Sequence, residues 1–124
     1  MNNHNEWLRS IGLTDIANRN EKNFEKQEYE LKLRSLFNKA EQLSKDGKPK
    51  MSNDIIYRII ENEKPDATAP MYLRIAINHR KLQEYQEEKD ILERFLKYEQ
   101  PRYGGDMWIE KFEDRLNKVN KKLN

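Results

Sequence analysis

The chain contains one stretch twice: DIIYRII at residues 54–60 returns, 36 residues later, as DILERFL at residues 90–96. A second match follows in each copy, with EKP at residues 63–65 against EQP at residues 99–101. Apolar residues inside each copy recur at three- and four-residue steps, which is the spacing of one face of an α-helix. A period in the thirties with helical patterning is typical of helical repeat proteins, whose units bury their apolar faces by stacking on one another.

The remaining sequence is also predicted to be helical. Residues 6–16 are predicted to form a short helix and turn, and residues 20–46, which lack Pro and Gly, a long helix that ends at Gly47. Ser52 or Asn53 is predicted to cap the following helix. Because no segment shows the alternation of a half-buried strand, we predict an all-α fold.

A chain of 124 residues is expected to form a single domain with one core. Helices are predicted to end near Gly47, Pro65, Gln83 and Pro101. The predicted organisation is an N-terminal helical extension over residues 1–32, two repeats over residues 33–66 and 67–102, and a capping helix over residues 103–124.

Residues 72–85, YLRIAINHRKLQEY, are similar to the first helix and the turn of a tetratricopeptide repeat (TPR). That family usually has a bulky aromatic residue, a small residue four places later and Lys-Leu-Gly-Asp-Tyr at the turn. Tyr72, Ala76 and residues 81–85 take these places, and Pro101 stands as the closing proline. The resemblance implies a small right-handed stack of antiparallel helix pairs.

The repeat also predicts which core positions correspond. Leu36, Tyr72 and Trp108, one period apart, are expected at equivalent sites. Ala40 and Ala76 are expected where two helices approach closely, because small residues permit that approach. The positions that depart from the family pattern are Ser52 and Glu88, where second helices normally carry a small residue, and Phe112 in the last helix.

The resemblance further implies a concave groove, lined by the first helix of each pair. Cations at the end of a helix are explained by the backbone dipole, which is the alternative reading for Arg80 and Lys81 but not for Arg74, early in its helix. Some relatives use groove cations and Asn to hold a peptide carboxylate. The predicted protein-binding residues are Phe37, Asn38, Leu73, Arg74, Ile77, Arg80 and Lys81. A protein or peptide partner with an acidic, partly hydrophobic segment would suit such a groove.

Composition and motifs limit the classes of function. The net charge is only +2, so bulk electrostatics favour neither nucleic acid nor a membrane surface. Two histidines, His4 and His79, no cysteine and no phosphate-binding or nucleophile motif lead us to expect no enzyme activity, no metal and no cofactor. Without a membrane-length apolar run or a secretory leader, we expect a cytoplasmic protein. Frequent Asn, Lys and Ile suggest an AT-rich genome, such as that of a low-GC bacterium or its phage.

These observations predict a protein-interaction module that acts as an adaptor or an inhibitor of a larger cytosolic protein. The alternative is a small regulator that binds nucleic acid through its basic last helix. Acidic residues interleave with the basic ones there, as they do on an ordinary solvated helix. The basic residues in question are Lys111, Arg115, Lys118, Lys121 and Lys122.

Overall fold

The computed structural model describes residues 6–7, 10, 12–63, 68–99 and 106–124. These residues are helical apart from short turns and include no β-strand, which confirms the all-α prediction. The five helices with defined bounds are α1 (Thr14–Lys45), α2 (Pro49–Arg58), α3 (Ala69–Lys81), α4 (Tyr85–Arg94) and α5 (Asp106–Leu123). α2 and α4 each continue into one wider helical turn, Ile59–Glu63 after α2 and Phe95–Glu99 after α4.

The chain forms two compact units, Met1–Ser35 and Leu36–Asn124, and α1 runs through the boundary between them. In the first unit, the Ser10 hydroxyl donates a hydrogen bond of 2.6 Å to the Trp7 carbonyl. Gly12 then adopts a φ of +87°, which glycine reaches without strain. α1 begins at Thr14, earlier than the predicted start at residue 20.

The sequence repeat is also a repeat of structure within the second unit. α4 begins and ends 36 residues after α2, and the wider turns that follow them keep the same offset. α3 likewise ends 36 residues after α1. The period read from side chains is therefore also the period of these helix ends.

α1 and α3 end in the same backbone motif. The Lys48 amide donates to the Leu43 carbonyl at 2.9 Å, and one period later the Glu84 amide donates to the His79 carbonyl at 2.8 Å. These bonds satisfy carbonyls that the helix end would otherwise leave without a partner. The motif needs a left-handed residue, which is Gly47 at φ +80° in the first turn and Gln83 at φ +59° in the second.

The helix ends predicted at Gly47 and Gln83 are thus found in the structure, whereas those at Pro65 and Pro101 lie outside the described residues. The predicted cap of α2 was wrong. α2 begins at Pro49, because proline has a helical φ and its missing N–H is not needed in the first turn. Ser52 and Asn53 consequently lie inside α2, where both are buried.

An aromatic cluster links the second repeat to α5. Phe95 and Phe112 stack with ring centroids 3.9 Å apart, and Tyr72 lies 5.8 Å from Phe95. All three side chains are buried. Phe112, for which the resemblance implied a small residue, is therefore held in the core by stacking on Phe95.

The expected equivalence of three core positions holds only in part. Ala40 and Ala76 are fully buried, as expected of residues at close helix contacts. Tyr72 is 1% exposed, but Leu36 is 39% exposed and Trp108 is only half-buried. The prediction that these three residues fill equivalent core sites is therefore wrong for Leu36 and Trp108.

Replacing Phe112 by Ala should lower the free energy of unfolding by about 3–5 kcal/mol, the usual effect of emptying a buried aromatic site. Trp108→Ala should have a clearly smaller effect, because Trp108 is only half-buried and its ring lies under the Lys111 ammonium. Urea denaturation followed by circular dichroism measures both. Equal losses in the two variants would contradict this account of the core.

Burial raises the pKa of Tyr72 to about 12 from its ordinary value of 10. Because the folded state favours the neutral phenol, this contribution to stability is complete below pH 10 and is lost as the pH rises through 12. The absorbance change at 295 nm that wild type shows and Tyr72→Phe lacks should have its midpoint near pH 12 in the folded protein. In urea the midpoint should return to about pH 10. A folded-state midpoint at pH 10 would show Tyr72 to be accessible to water.

Candidate functional site

The five residues of α3 predicted to line a groove share one face of that helix. At 100° per residue they lie within one stripe, while Tyr72, Ile75 and Ala76, which lie outside that stripe, are buried. Lys81 is exposed, and the other four side chains are half-buried. The five residues of this α3 stripe are Leu73, Arg74, Ile77, Arg80 and Lys81.

Two cations of the α3 stripe contact the C-terminal part of α1. Arg74 donates from its guanidinium to Glu41 Oε2 at 3.2 Å and to Ser44 Oγ at 3.5 Å. Lys81 Nζ donates to the Ser44 carbonyl at 3.1 Å and to Ser44 Oγ at 3.2 Å. Arg74 thus has a carboxylate partner of its own, whereas the Lys81 contacts are with neutral oxygens.

Arg80 contacts a carboxylate that is wholly inside the protein. Glu88, 0% exposed, accepts a hydrogen bond from Arg80 Nε at 2.9 Å and another from Arg115 at 3.2 Å. The Arg80 guanidinium also approaches the Arg115 carbonyl at 3.5 Å. Burial lowers the pKa of Arg115, and the neighbouring Arg80 charge lowers it further. Two guanidiniums from α3 and α5 therefore depend on one carboxylate from α4.

The two groove residues predicted on α1 differ in their exposure to solvent. Phe37 is buried and Asn38 is exposed. The apolar residues of the predicted set are thus Phe37, which is buried, and Leu73 and Ile77, which are half-buried on α3. The accessible part of the predicted groove is therefore centred on α3, and the role of all seven residues in binding stays a prediction.

A neutral counterpart of the Arg80–Glu88–Arg115 cluster lies one period earlier. Asn78 is fully buried; its amide donates to Ser52 Oγ at 2.9 Å and to Asn53 Oδ1 at 2.8 Å. The Ser44 hydroxyl donates to Asn78 Oδ1 at 2.5 Å. Ser44 and Ser52 stand 36 residues before Arg80 and Glu88. Successive helix pairs are therefore joined at equivalent places by buried polar groups, neutral at the first junction and ionic at the second.

The sequence prediction did not identify Glu41, Ser44 and Glu88 as partners of the α3 cations. Ser52 and Glu88 were recognised only as departures from a small-residue position. That departure was a usable signal, because a polar residue at a buried position must find a hydrogen-bonding partner.

The basic residues of α5 have varied partners. Lys118 pairs with Asp114 at 3.0 Å, and Lys111 and Lys122 lie over the rings of Trp108 and Tyr85. Arg115 is held by Glu88, and Lys121 is exposed.

His79 has a hydrogen-bonded position at the edge of the core. Its Nε2 lies 2.8 Å from the Tyr57 hydroxyl and its Nδ1 lies 3.0 Å from Glu84 Oε1. Burial raises the pKa of Tyr57 to about 12. The residues that the structure describes include no group of three or more His, Cys, Asp or Glu side chains able to hold a metal ion, and His4 lies outside them.

Comparisons with known proteins identified no similar protein. A scan against models of protein families, a search of curated proteins and a search of solved structures each found no match. The resemblance to TPR proteins rests on the residues and the helix pattern alone. In the part of the chain that the structure describes, no helix combines the length and the hydropathy of a membrane span.

Glu88→Gln should lower the free energy of unfolding by about 3 kcal/mol or more, because it leaves two partly buried guanidiniums without a compensating charge. The adjacent exposed Glu87 provides a matched control, and Glu87→Gln should change stability by no more than about 0.5 kcal/mol. Urea denaturation of both variants tests this. Equal stabilities would show that the ionic junction does not hold α3, α4 and α5 together.

Proposed function

We propose that this protein is a non-enzymatic interaction module that binds a larger protein of the cytosol, as an adaptor or an inhibitor, through the α3 stripe. The observation that carries the proposal is the composition of that stripe. It places the half-buried apolar side chains Leu73 and Ile77 beside the exposed cation Lys81 on one helix face. Such a surface suits an acidic segment with apolar residues among its carboxylates.

Lys81 is the cation of this stripe best suited to receive a partner's carboxylate. Arg74 and Arg80 already contact Glu41 and Glu88, so a binding segment would have to share or displace those partners. The Lys81 ammonium has three donors, and its two hydrogen bonds go to Ser44 oxygens, which carry no charge. Its position is nevertheless fixed by those two bonds, which reduces the entropy lost on binding.

We also infer that the protein is a helical repeat of the TPR type. Support comes from the helix bounds, which recur with the sequence period, and from the recurring turn motif at Gly47 and Gln83. Tyr72 and Ala76, the residues that carry the family resemblance, are both buried. In such an architecture, the first helices present a continuous surface to a bound segment.

The proposal is tested by capture of partners from native lysate, quantified by mass spectrometry, with wild type and two charge variants. A partner bound by wild type should be lost with Lys81→Glu and retained with Lys118→Glu, which reverses an exposed lysine on α5. Circular dichroism checks that both variants keep the wild-type melting temperature. Retention of every partner by Lys81→Glu would contradict binding through the α3 stripe.

Lys81→Glu and a triple variant of α5 separate this proposal from nucleic-acid binding. A binder that uses α5 should lose affinity for labelled DNA or RNA when Lys118, Lys121 and Lys122 are changed to Glu, and keep it in Lys81→Glu. Its affinity should also fall steeply between about 50 and 200 mM salt, because each neutralised phosphate releases counterions. That outcome would replace the interaction-module proposal with the alternative.

A further inference from the structure

The N-terminal half of α1 contains a long stretch without a buried side chain. Ala17 is fully buried, and the next buried side chain along the helix is that of Leu33, about four turns later. Residues 22–29 are exposed without interruption, so that two complete turns of the helix face solvent on every side. Even the apolar ring of Phe24 is 56% exposed.

The C-terminal half of α1 has the packing that this stretch lacks. Leu33, Phe37, Ala40 and Ser44 recur at steps of four, three and four residues, and all are buried. Such a packed stripe supplies most of the stability of a helix in a protein, whereas an isolated helix of about 12–15 residues is marginal in water. Residues 18–32 therefore remain helical through their backbone hydrogen bonds, with little contribution from burial.

Within this stretch, the local sequence is least favourable to a helix at residues 22–26. Lys22 and Lys26 stand four residues apart, where two like charges are neighbours on the helix surface and destabilise it. Asn23, between them, has a lower helix propensity than Ala, Leu or Lys. The helix is thus weakest about two turns after the buried Ala17.

The residues that follow have the opposite arrangement of charge. Glu28 stands four residues before Lys32, and Glu30 stands four residues before Arg34. An acidic side chain four residues before a basic one is the more stabilising order of such a pair, in agreement with the helix dipole. The charges therefore favour opening of the helix before residue 28 and an intact helix after it.

We propose that residues 22–26 form a hinge, at which α1 opens locally while the second unit stays folded. Opening there exposes little additional apolar surface, because these side chains are already in solvent. It lets α1 bend between Ala17 and Leu33, the buried residues on either side. The cations of the α3 stripe contact α1 at Glu41 and Ser44, beyond the hinge, so the inference does not rest on the proposed function.

The first experiment is native-state amide hydrogen exchange of the full-length protein, followed residue by residue by ¹⁵N NMR. Protection of the amides of residues 22–26 should be lower by at least about a hundredfold than protection of residues 37–44, because a local opening needs no global unfolding. Exchange at the hinge should also be insensitive to low concentrations of urea, since little surface is exposed. Equal protection of the two regions would overturn the proposal.

The same profile separates a hinge from fraying of the helix end. The Ala17 amide donates to the Leu13 carbonyl at 3.2 Å, and Ala17 is fully buried. A hinge predicts that protection falls after Ala17, reaches a minimum at residues 22–26 and rises again toward Phe37. A steady rise from Ala17 to Phe37 would show that α1 opens from its N-terminus, and the hinge would be wrong.

The second experiment breaks the helix at matched positions. Lys26 and Lys39 are both exposed lysines of α1, and proline in place of either removes a backbone hydrogen bond and clashes with the preceding turn. Lys26→Pro should leave the melting temperature of the second unit within about 2 °C of wild type, whereas Lys39→Pro should lower it by at least about 10 °C. Equal melting temperatures of the two variants in circular dichroism would contradict the hinge.

The third experiment tests the local cause. Lys22→Ala removes the like charge and raises the helix propensity, so exchange at residues 23–26 should slow about twofold to threefold. Lys39→Ala makes the same substitution at an exposed lysine in the packed half of α1 and should leave exchange at the hinge unchanged. If Lys22→Ala and Lys39→Ala exchange alike at residues 23–26, the hinge does not lie where the like charges place it.

Discussion

The second unit depends on one constraint: a polar group placed where successive helix pairs meet must be satisfied by the protein, because water does not reach it. Glu88 and Asn78 are both fully buried, and each contacts side chains from two other helices. An unpartnered carboxylate or amide in such a place would be strongly destabilising. The contacts of these two residues therefore fix how α3 sits against the helices around it. The cations Arg74 and Lys81 are positioned through the same network, because both bond to Ser44, which bonds to Asn78.

Much of the backbone could be predicted from the sequence, because the signals concerned are local. Gly47 marks the end of α1 through its left-handed φ, and apolar spacing identifies each helix. The helix end at Gln83 could be predicted only through the repeat, because a glutamine does not by itself indicate a left-handed backbone conformation. The start of α2 was mistaken because Pro49 serves equally well as a helix breaker and as a first helical residue. Ser52 and Asn53, which resemble caps in the sequence, point inward to Asn78, and that contact is a tertiary one.

The candidate site was less predictable because its chemistry is determined by partners distant in sequence. Placing Leu73, Arg74 and Ile77 on one face needed only helix geometry. That Arg74 pairs with Glu41, and Arg80 with Glu88, depends on how the helices are arranged, which no local pattern encodes.

The neutral and the ionic junction also respond differently to heat. The desolvation penalty of charged groups falls as temperature rises, because the hydration of ions carries a large unfavourable entropy. The Arg80–Glu88–Arg115 junction thus gains relative strength on warming, whereas the amide and hydroxyl contacts of Asn78 with Ser44 and Ser52 have no such compensation. Warming should consequently loosen α1 and α2 from α3 before it separates α3 and α4 from α5. The order in which the helix pairs separate on heating therefore depends on which of the two junctions is ionic.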